Sequence, residues 1–308
     1  MPKSQVNDDL SHSRERKKLL CLTAKNIYKN TKTLDYEANT PLLCGYIDTF
    51  LRNRKEIENQ EDSRVLFYRG QSDKMFLLTP SVFRNGWLSK KHTLIHDLLL
   101  NSPGEFSGIE NPLERLIKMQ HYNLPTRLLD VTTNPLVALY FACNENNDKD
   151  GEVIVFYDYV QRHTTINARC LIALTEYNGS SERQMLGFLS EKGFDKPELA
   201  SLTHITHIPI EAPRNNERIK RQHGAFVIVG VHGENDGNPY QKTIFDLKPL
   251  LVRNFNDSVS RSIVIPKKEK TQLLKELDTL GINRAFLFPE LEHQAAYIRN
   301  KYEGVLSP

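Results

Sequence analysis

The sequence predicts a single α+β domain whose central sheet is mixed, mostly antiparallel and flanked by helices. Short apolar or aromatic runs that are typical of buried strands alternate with stretches of helical periodicity. Their order is irregular and lacks the repeated strand–helix–strand pattern of a parallel sheet. No internal repeat or long linker divides residues 41–308, so we expect one domain there, preceded by a polar extension over residues 1–40.

Composition narrows the class of protein. Apolar residues make up 39% of the chain, charged residues 26%, and the net charge is +3. These values are ordinary for a globular protein and argue against a strongly basic nucleic-acid binder.

Cys21, Cys44, Cys143 and Cys170 show no CxxC spacing and no metal-ligand pattern with histidines, so we expect reduced thiols and no metal. Residues 1–18 lack an apolar stretch, and no run approaches the roughly 20 apolar residues of a membrane span. These features predict a cytoplasmic protein without a membrane partner.

Helices are predicted from apolar periodicity and from capping residues. Thr40 and Pro41 are expected to begin a helix whose inward face is formed by Leu42, Leu43, Tyr46, Ile47 and Phe50. Asn-Pro pairs at 111–112 and 134–135 predict two further helix starts. A later helix is expected to end at Gly281, with its inward face formed by Leu273, Leu274, Leu277 and Leu280.

Strands are predicted wherever β-branched and aromatic residues form short apolar runs. The predicted strands are 64–70, 151–159, 224–233, 261–266 and a late one at 284–289.

Arg69 and Gly70 end the first predicted strand and form the first candidate site. A guanidinium there must reach solvent, a carboxylate or an anionic ligand, and arginine binds phosphate through two parallel charge-assisted hydrogen bonds. Gly70 allows a close approach of the backbone to a ligand. The alternative is a structural ion pair with an acidic residue such as Asp130.

A second cluster, QHYNLPTRLLDVTTNP at 120–135, precedes a predicted helix. It contains His121, Arg127, Asp130, Thr132 and Thr133, and the free N–H groups at a helix start can bind an anion. The alternative is that Thr133 or Asn134 caps the helix, Arg127 and Asp130 form a buried pair, and His121 bonds to the backbone.

A third candidate segment, RIKRQHG at 218–224, places positive charge beside Gln222 and His223 just before a strand. A solvated basic turn is the alternative interpretation.

Together these segments resemble the FRG domain family over about residues 45–300. The shared features are Tyr68-Arg69-Gly70, TPSVFRN at 79–85, QHYNLPTRLLDVTTNPLVALYFA, RIKRQHGAFVI and the closing IPKKEK…LGINRAFLFPELE. Family members commonly have Gly at the position of Asn123 and Trp at that of Val131. The resemblance implies an FRG domain over residues 41–308. The family has no assigned activity, but its occurrence in bacterial toxins and phage defence implies an intracellular effector.

The same segments show a weaker resemblance to ADP-ribosyltransferases, which use NAD as substrate without a metal. It implies catalytic roles for Arg69, His121 and Gln222, and a transferase-like core in which Arg69, Thr132 and Gln222 line one cleft. The residues expected to contact NAD are Tyr68, Gly70, Gln71, Tyr122, Arg127, Asp130, Thr132, Thr133, Asn134 and Arg218. The helix starting at Asn134 is expected to help hold the pyrophosphate. The acceptor would be a protein, a nucleic acid or water.

Gln222 departs from the transferase pattern, which has a glutamate there. An amide supplies no negative charge to an oxocarbenium-like transition state, so Glu217 or Asp130 would have to replace it. Two alternatives therefore stay open. One is a non-catalytic module that binds nucleotide or nucleic-acid phosphate, and the other is a metal-independent phosphodiesterase that uses His121 and His223.

Overall fold

The computed structural model describes residues 41–58, 63–179, 182–195, 207–211, 213, 216–230, 247 and 262–303. It confirms the α+β class. The extension over residues 1–40, the Thr40 cap and residues 231–233 of the predicted strand lie outside these ranges.

Six strands form one antiparallel sheet with the order β4-β5-β2-β1-β3-β6. Their bounds are β1 Val65–Gln71, β2 Leu128–Thr132, β3 Gly151–Asp158, β4 His207–Ile210, β5 Gly224–Val229 and β6 Ser262–Ile265. Tyr68 pairs with Thr132, and Thr132 pairs with Gly224, so β1, β2 and β5 are adjacent. The three segments with candidate site residues therefore meet at the centre of the sheet.

The helices cover both faces of this sheet. They are α1 Leu42–Glu58, α2 Lys91–Asn101, α3 Pro103–Phe106, α4 Pro112–His121, α5 Pro135–Cys143, α6 Ile166–Ala173, α7 Glu182–Glu191, α8 Glu217–Arg221, α9 Lys267–Thr279, α10 Arg284–Leu287 and α11 Leu291–Tyr302. Both Asn-Pro predictions are confirmed: the side chains of Asn111 and Asn134 accept the N–H groups of Leu113 and Leu136.

The predicted late strand at 284–289 is wrong. The Asn283 side chain accepts the N–H of Phe286 at 2.8 Å and thereby caps the short helix α10. An apolar run of this length is compatible with either structure, and here the cap decides. The expected inward face of α9 also needs one correction, because Leu280 lies just past the helix and is 57% exposed.

Alternating residues of the sheet pack into two separate cores. On β2, Leu129 and Val131 join α1, α5 and α9, whereas Leu128 joins α4, α6 and α7 on the opposite face. Because both faces are covered, the central strands are largely apolar, and their polar residues lie towards one end: Arg69 and Gln71 on β1, and Asp130 and Thr132 on β2.

Gly70 lets α5 pack directly on β1. A Cβ atom at this position would lie 1.9 Å from the carbonyl oxygen of Ala138 and 2.8 Å from the nitrogen of Ala142. Close helix–strand contact, rather than ligand approach, is thus sufficient to require glycine at this position.

Three buried cations bind backbone carbonyl groups. Lys91 Nζ donates to the carbonyls of Leu174, Thr175 and Tyr177 beyond the end of α6. Lys270 Nζ donates to Ser72, Glu145 and Asn146, at 2.6, 2.9 and 3.0 Å. Arg127 Nη1 donates to Val229 and Gly230, at 3.1 and 3.0 Å. Each cation ties together segments that are distant in sequence.

Candidate functional site

A cavity of about 520 Å³ opens beside β1, β2 and β5. Nine of the predicted site residues line it: Tyr68, Arg69, Gly70, Gln71, His121, Asp130, Thr132, Arg218 and Gln222. The expectation that Arg69, Thr132 and Gln222 share one cleft agrees with this geometry. The chemical roles of these residues stay predictions.

Arg69 contributes a largely buried guanidinium to the cavity. Its Nη1 donates to the backbone carbonyl of Asp130 at 2.8 Å and lies 3.9 Å from the carboxylate Oδ2 of the same residue. Burial lowers the pKa of Arg69, and the Asp130 charge partly opposes this effect. Arg69 Nε is buried without a hydrogen-bond partner among the described residues. The ion pair with Asp130 is therefore loose, and the guanidinium keeps donor capacity for a ligand.

Arg84 is a cavity residue that the sequence interpretation missed. Its Nη2 donates to the carbonyl of Thr79 at 2.7 Å. Burial and the positive charge of Arg69 lower the pKa of Arg84, which shows that the two guanidinium groups lie within electrostatic range. An anion between them would relieve this repulsion.

Arg218 adds a third guanidinium from α8. Its Cζ lies 4.6 Å from the centre of the Phe288 ring, and its Nη1 lies 3.9 Å from Glu290 Oε1. Asn216 fixes the start of this short helix by accepting the N–H groups of Arg218 and Ile219. Among the described residues, the cavity lining therefore contains three arginines and two carboxylates, those of Asp130 and Glu145.

Gln222 and Thr132 are joined in one hydrogen-bonded turn. The Thr132 hydroxyl donates to the Gln222 carbonyl at 2.7 Å and accepts the N–H of Asn134 at 3.0 Å. The Thr133 N–H donates to the carbonyl of His223, which is left-handed with φ 47°. The Gln222 side chain donates from Nε2 to the Leu287 carbonyl at 3.1 Å, and its Oε1 is the acceptor atom that it can offer to a ligand.

The anion site expected at the start of α5 stays a prediction, and most of its backbone donors are already engaged within the protein. Pro135 has no N–H group, Leu136 donates its N–H to the Asn134 side chain, and Asn134 donates its own to Thr132. These contacts use the N–H groups of Asn134 and Leu136, two of the donors that a phosphate at this helix start would need. Thr133 and Asn134 accordingly lie outside the cavity lining.

Two other residues that were expected to contact the ligand, Arg127 and Tyr122, also lie outside the cavity lining. Arg127 is 5% exposed and donates to the carbonyls of Val229 and Gly230. The expected buried pair between Arg127 and Asp130 is therefore wrong as well. Burial lowers the pKa of Arg127 to about 10. Tyr122 is 63% exposed and outside the lining. Tyr68 lines the cavity but is 2% exposed, with its ring edge-on against Phe50.

His121 lies at the end of α4, where its Nε2 is 3.0 Å from Glu290 Oε1. Burial, followed by the charge of Arg218, lowers the pKa of His121, and Glu290 opposes the shift. Asn123 follows with φ 64°, a conformation that glycine adopts freely and asparagine tolerates. Asparagine is therefore compatible with this backbone conformation, at a position where the resemblance led us to expect that Gly is common.

Only one of three further candidate residues lines the cavity: Asp130 does, whereas Glu217, the other acid that could replace the transferase glutamate, and His223, the second phosphodiesterase histidine, do not. Glu217 pairs with Lys220 at 2.7 Å on the surface and lies outside the lining, whereas Asp130 belongs to it. His223 is exposed and also outside, which removes the second base of a phosphodiesterase. Within the described ranges no group of three His, Cys, Asp or Glu residues is arranged to hold a metal, and Cys44, Cys143 and Cys170 form no disulfide there.

Comparison with known families decides what this part of the chain is. Residues 64–151 match the family model of the FRG domain. The chain carries an FRG domain. The matched segment runs from β1 to the start of β3 and contains Arg69, Arg84, His121 and Thr132. No curated protein and no solved structure matches the chain.

The FRG match leaves part of the cavity outside it. Arg218, Gln222 and Phe288 lie C-terminal to residue 151 and complete the lining. The extent of the domain over residues 41–308 and the transferase-like core stay predictions. Among the described residues, no helix has the length and apolar character needed to cross a bilayer.

Proposed function

We propose that the cavity of this FRG domain binds NAD as a substrate and cleaves its nicotinamide–ribose bond. The observation that carries this proposal is the convergence of Arg69, Arg84 and Arg218 on one cavity with Gln222 and Thr132. Ligand cavities commonly measure about 300–1,000 Å³, and the volume of about 520 Å³ falls within that range.

The arginines supply the contacts to the pyrophosphate. A guanidinium forms bidentate, charge-assisted hydrogen bonds with phosphate oxygens. Arg69 and Arg84 each give one N–H to a backbone carbonyl in the described structure, at 2.8 and 2.7 Å, so both are held in place and keep further donors. Preorganised donors lower the entropic cost of binding.

Phe76 supplies an aromatic surface for a ring of the ligand. It lines the cavity and is 45% exposed, so one face is accessible for stacking. Phe288 also lines the cavity, but Arg218 covers its ring. Phe76 therefore takes the stacking role that the sequence interpretation gave to Tyr68 or Tyr122.

Gln222 Oε1 is assigned to a hydroxyl of the nicotinamide ribose. An amide oxygen accepts this hydrogen bond but provides no charge for the oxocarbenium-like transition state, and one missing electrostatic stabiliser lowers a rate by about 10²-fold or more. We therefore propose slow cleavage, followed by transfer of ADP-ribose to water or to a hydroxyl-bearing acceptor.

Release of free nicotinamide from NAD tests this function. Wild-type protein should release nicotinamide, Gln222→Ala should release less, and Gln222→Glu should release it about ten-fold faster or more, because the carboxylate restores the missing charge. Gln272→Glu, an exposed change on α9, is the matched control and should leave the rate unchanged. Absence of release from both wild type and Gln222→Glu would contradict the proposal.

Non-catalytic binding of a nucleotide phosphate is the second candidate. It is supported by the neutral Gln222 and by the Thr132 hydroxyl, which is already engaged on both sides. Thermal stabilisation by NAD without any nicotinamide release, even in Gln222→Glu, would favour it. A protein or nucleic-acid acceptor, a cytoplasmic location and a role as toxin or in phage defence stay predictions.

A further inference from the structure

Three groups meet at the edge of the cavity where α4, α8 and α11 approach one another. Glu290 Oε1 lies 3.0 Å from His121 Nε2 and 3.9 Å from Arg218 Nη1. The side chains are 28%, 19% and 30% exposed, respectively. His121 and Arg218 line the cavity, and Glu290 acts behind them.

We infer that Glu290 is a positioning residue that holds His121 as the general base of the reaction in the cavity. This inference rests on the proposed cleavage of NAD. It brings an acid from a third segment to the site, but this acid serves His121, and the charge that Gln222 lacks at the ribose is not replaced by it.

The contact with Glu290 favours one tautomer of His121. A carboxylate offers only negative charge and lone pairs, so a neutral imidazole whose Nε2 lies 3.0 Å from Glu290 Oε1 is expected to carry its proton on Nε2. Nδ1 is then the nitrogen with the free lone pair, and it is the basic atom that His121 offers to an acceptor. A base needs this pairing because a free imidazole divides its population between two tautomers.

Burial and the positive charge of Arg218 favour the neutral form of His121. Glu290 and His293 face it from the α11 segment, and Arg218 faces it from α8. Burial and the positive charge of Arg218 lower the pKa of His121, while Glu290 raises it and prevents a larger fall. Tyr122 packs edge-on against the imidazole, with ring centres 5.2 Å apart.

Packing fixes Glu290 in this position. It is the last residue before α11, and the preceding Phe288 lies between Phe141, with ring centres 6.0 Å apart, and the guanidinium of Arg218. Glu290 Oε2 is buried without a hydrogen-bond partner among the described residues. The cationic or polar groups near this carboxylate are therefore those beside Oε1, namely His121 and Arg218.

The step that follows conserves atoms and charge. The acceptor oxygen, from water or a hydroxyl group, forms a bond to C1′ of the nicotinamide ribose. The C1′–N bond breaks, its electron pair neutralises the pyridinium nitrogen, and neutral nicotinamide leaves. The acceptor proton moves to His121 Nδ1, and Glu290 stabilises the imidazolium that forms.

Glu290→Gln tests the inference because the amide keeps the size of the side chain and removes its charge. We expect kcat for nicotinamide release to fall at least ten-fold while KM for NAD changes less than two-fold. The acidic limb of the kcat–pH profile should move to lower pH, because loss of the carboxylate lowers the pKa of His121 further. His121→Gln should remove this limb altogether.

Glu292→Gln is the matched control. The same chemical change is made two residues away, at a carboxylate that is 81% exposed and lies 3.5 Å from His293. It should leave kcat, KM and the pH profile as in wild type.

Two outcomes would overturn the inference, and they are distinguishable. If wild-type protein releases nicotinamide and Glu290→Gln shows an unchanged kcat and pH profile, the positioning role fails while the proposed function stands. If neither wild type nor Gln222→Glu releases nicotinamide, the proposed function fails and the positioning role fails with it.

Discussion

Buried cations serve two different purposes in this molecule. Lys91, Lys270 and Arg127 donate to carbonyls of distant backbone segments and connect parts of the fold. Arg69 and Arg84 each make one short bond to a carbonyl, and both residues line a cavity. The residue types overlap, so the partner atoms and not the residue type decide whether a cation supports the fold or binds a ligand.

This difference has an energetic basis. A buried carbonyl that loses its donor costs about 1–3 kcal/mol, so a cation that serves several carbonyls is a structural element. Removing a cavity arginine that serves a single carbonyl should cost the protein less stability than this, whereas the same arginine contributes directly when an anion binds.

Lys270→Met should have the largest effect on stability. It leaves the carbonyls of Ser72, Glu145 and Asn146 without their donor, so we expect the free energy of unfolding to fall by about 3–5 kcal/mol. Denaturant titration measures this change, and Lys268→Met, an exposed neighbour on α9, should cost under about 0.5 kcal/mol. Equal effects of the two substitutions would show that the buried lysine is not a structural element.

Arg127→Met should destabilise the fold by about 2–3 kcal/mol, because the carbonyls of Val229 and Gly230 lose their donor. At a temperature where the variant stays folded, its affinity for pyrophosphate should match that of wild type. Loss of pyrophosphate binding in the folded variant would return Arg127 to the ligand site where the sequence interpretation placed it.

Arg84→Gln should show the opposite behaviour and the smallest change in stability. The amide can still donate to the Thr79 carbonyl, so we expect the unfolding free energy to change by under about 1 kcal/mol. Its affinity for pyrophosphate should fall about 10- to 100-fold, as expected for one lost charge-assisted contact of about 1.5–3 kcal/mol.

Thermal shift against pyrophosphate concentration measures this effect. Arg299→Gln, an exposed arginine on α11, is the control and should bind like wild type. Identical pyrophosphate binding by Arg84→Gln and Arg299→Gln would show that the cavity arginines are not the anion site.

The sequence was sufficient wherever the determining contacts are local. Asn111 and Asn134 cap helices through N–H groups two residues ahead, and the β1 and β3 strands follow from their own apolar runs. Local contacts also explain one failure, since the Asn283 cap that turns the RAFLFP run into helix α10 was visible but outweighed by the apolar pattern.

Contacts distant in sequence could not be predicted in this way. Arg127 was expected to bind a ligand, but it donates to carbonyls 102 and 103 residues away. Nothing in the sequence around Arg127 indicates these partners. Arg84 directly follows the buried residues Val82 and Phe83, and its neighbours in sequence give no sign that it lines a cavity. The pairing of Glu290 with His121 likewise exists only after α11 has folded beside α4.

Isothermal titration calorimetry of NAD into wild-type protein and into Arg84→Gln tests the central claim most directly. We expect saturable binding of one NAD per wild-type chain and a dissociation constant at least ten-fold higher for Arg84→Gln, which corresponds to about 1.4 kcal/mol. The absence of binding to wild type, or equal dissociation constants for the two proteins, would contradict a cavity that holds the pyrophosphate of NAD through its arginines.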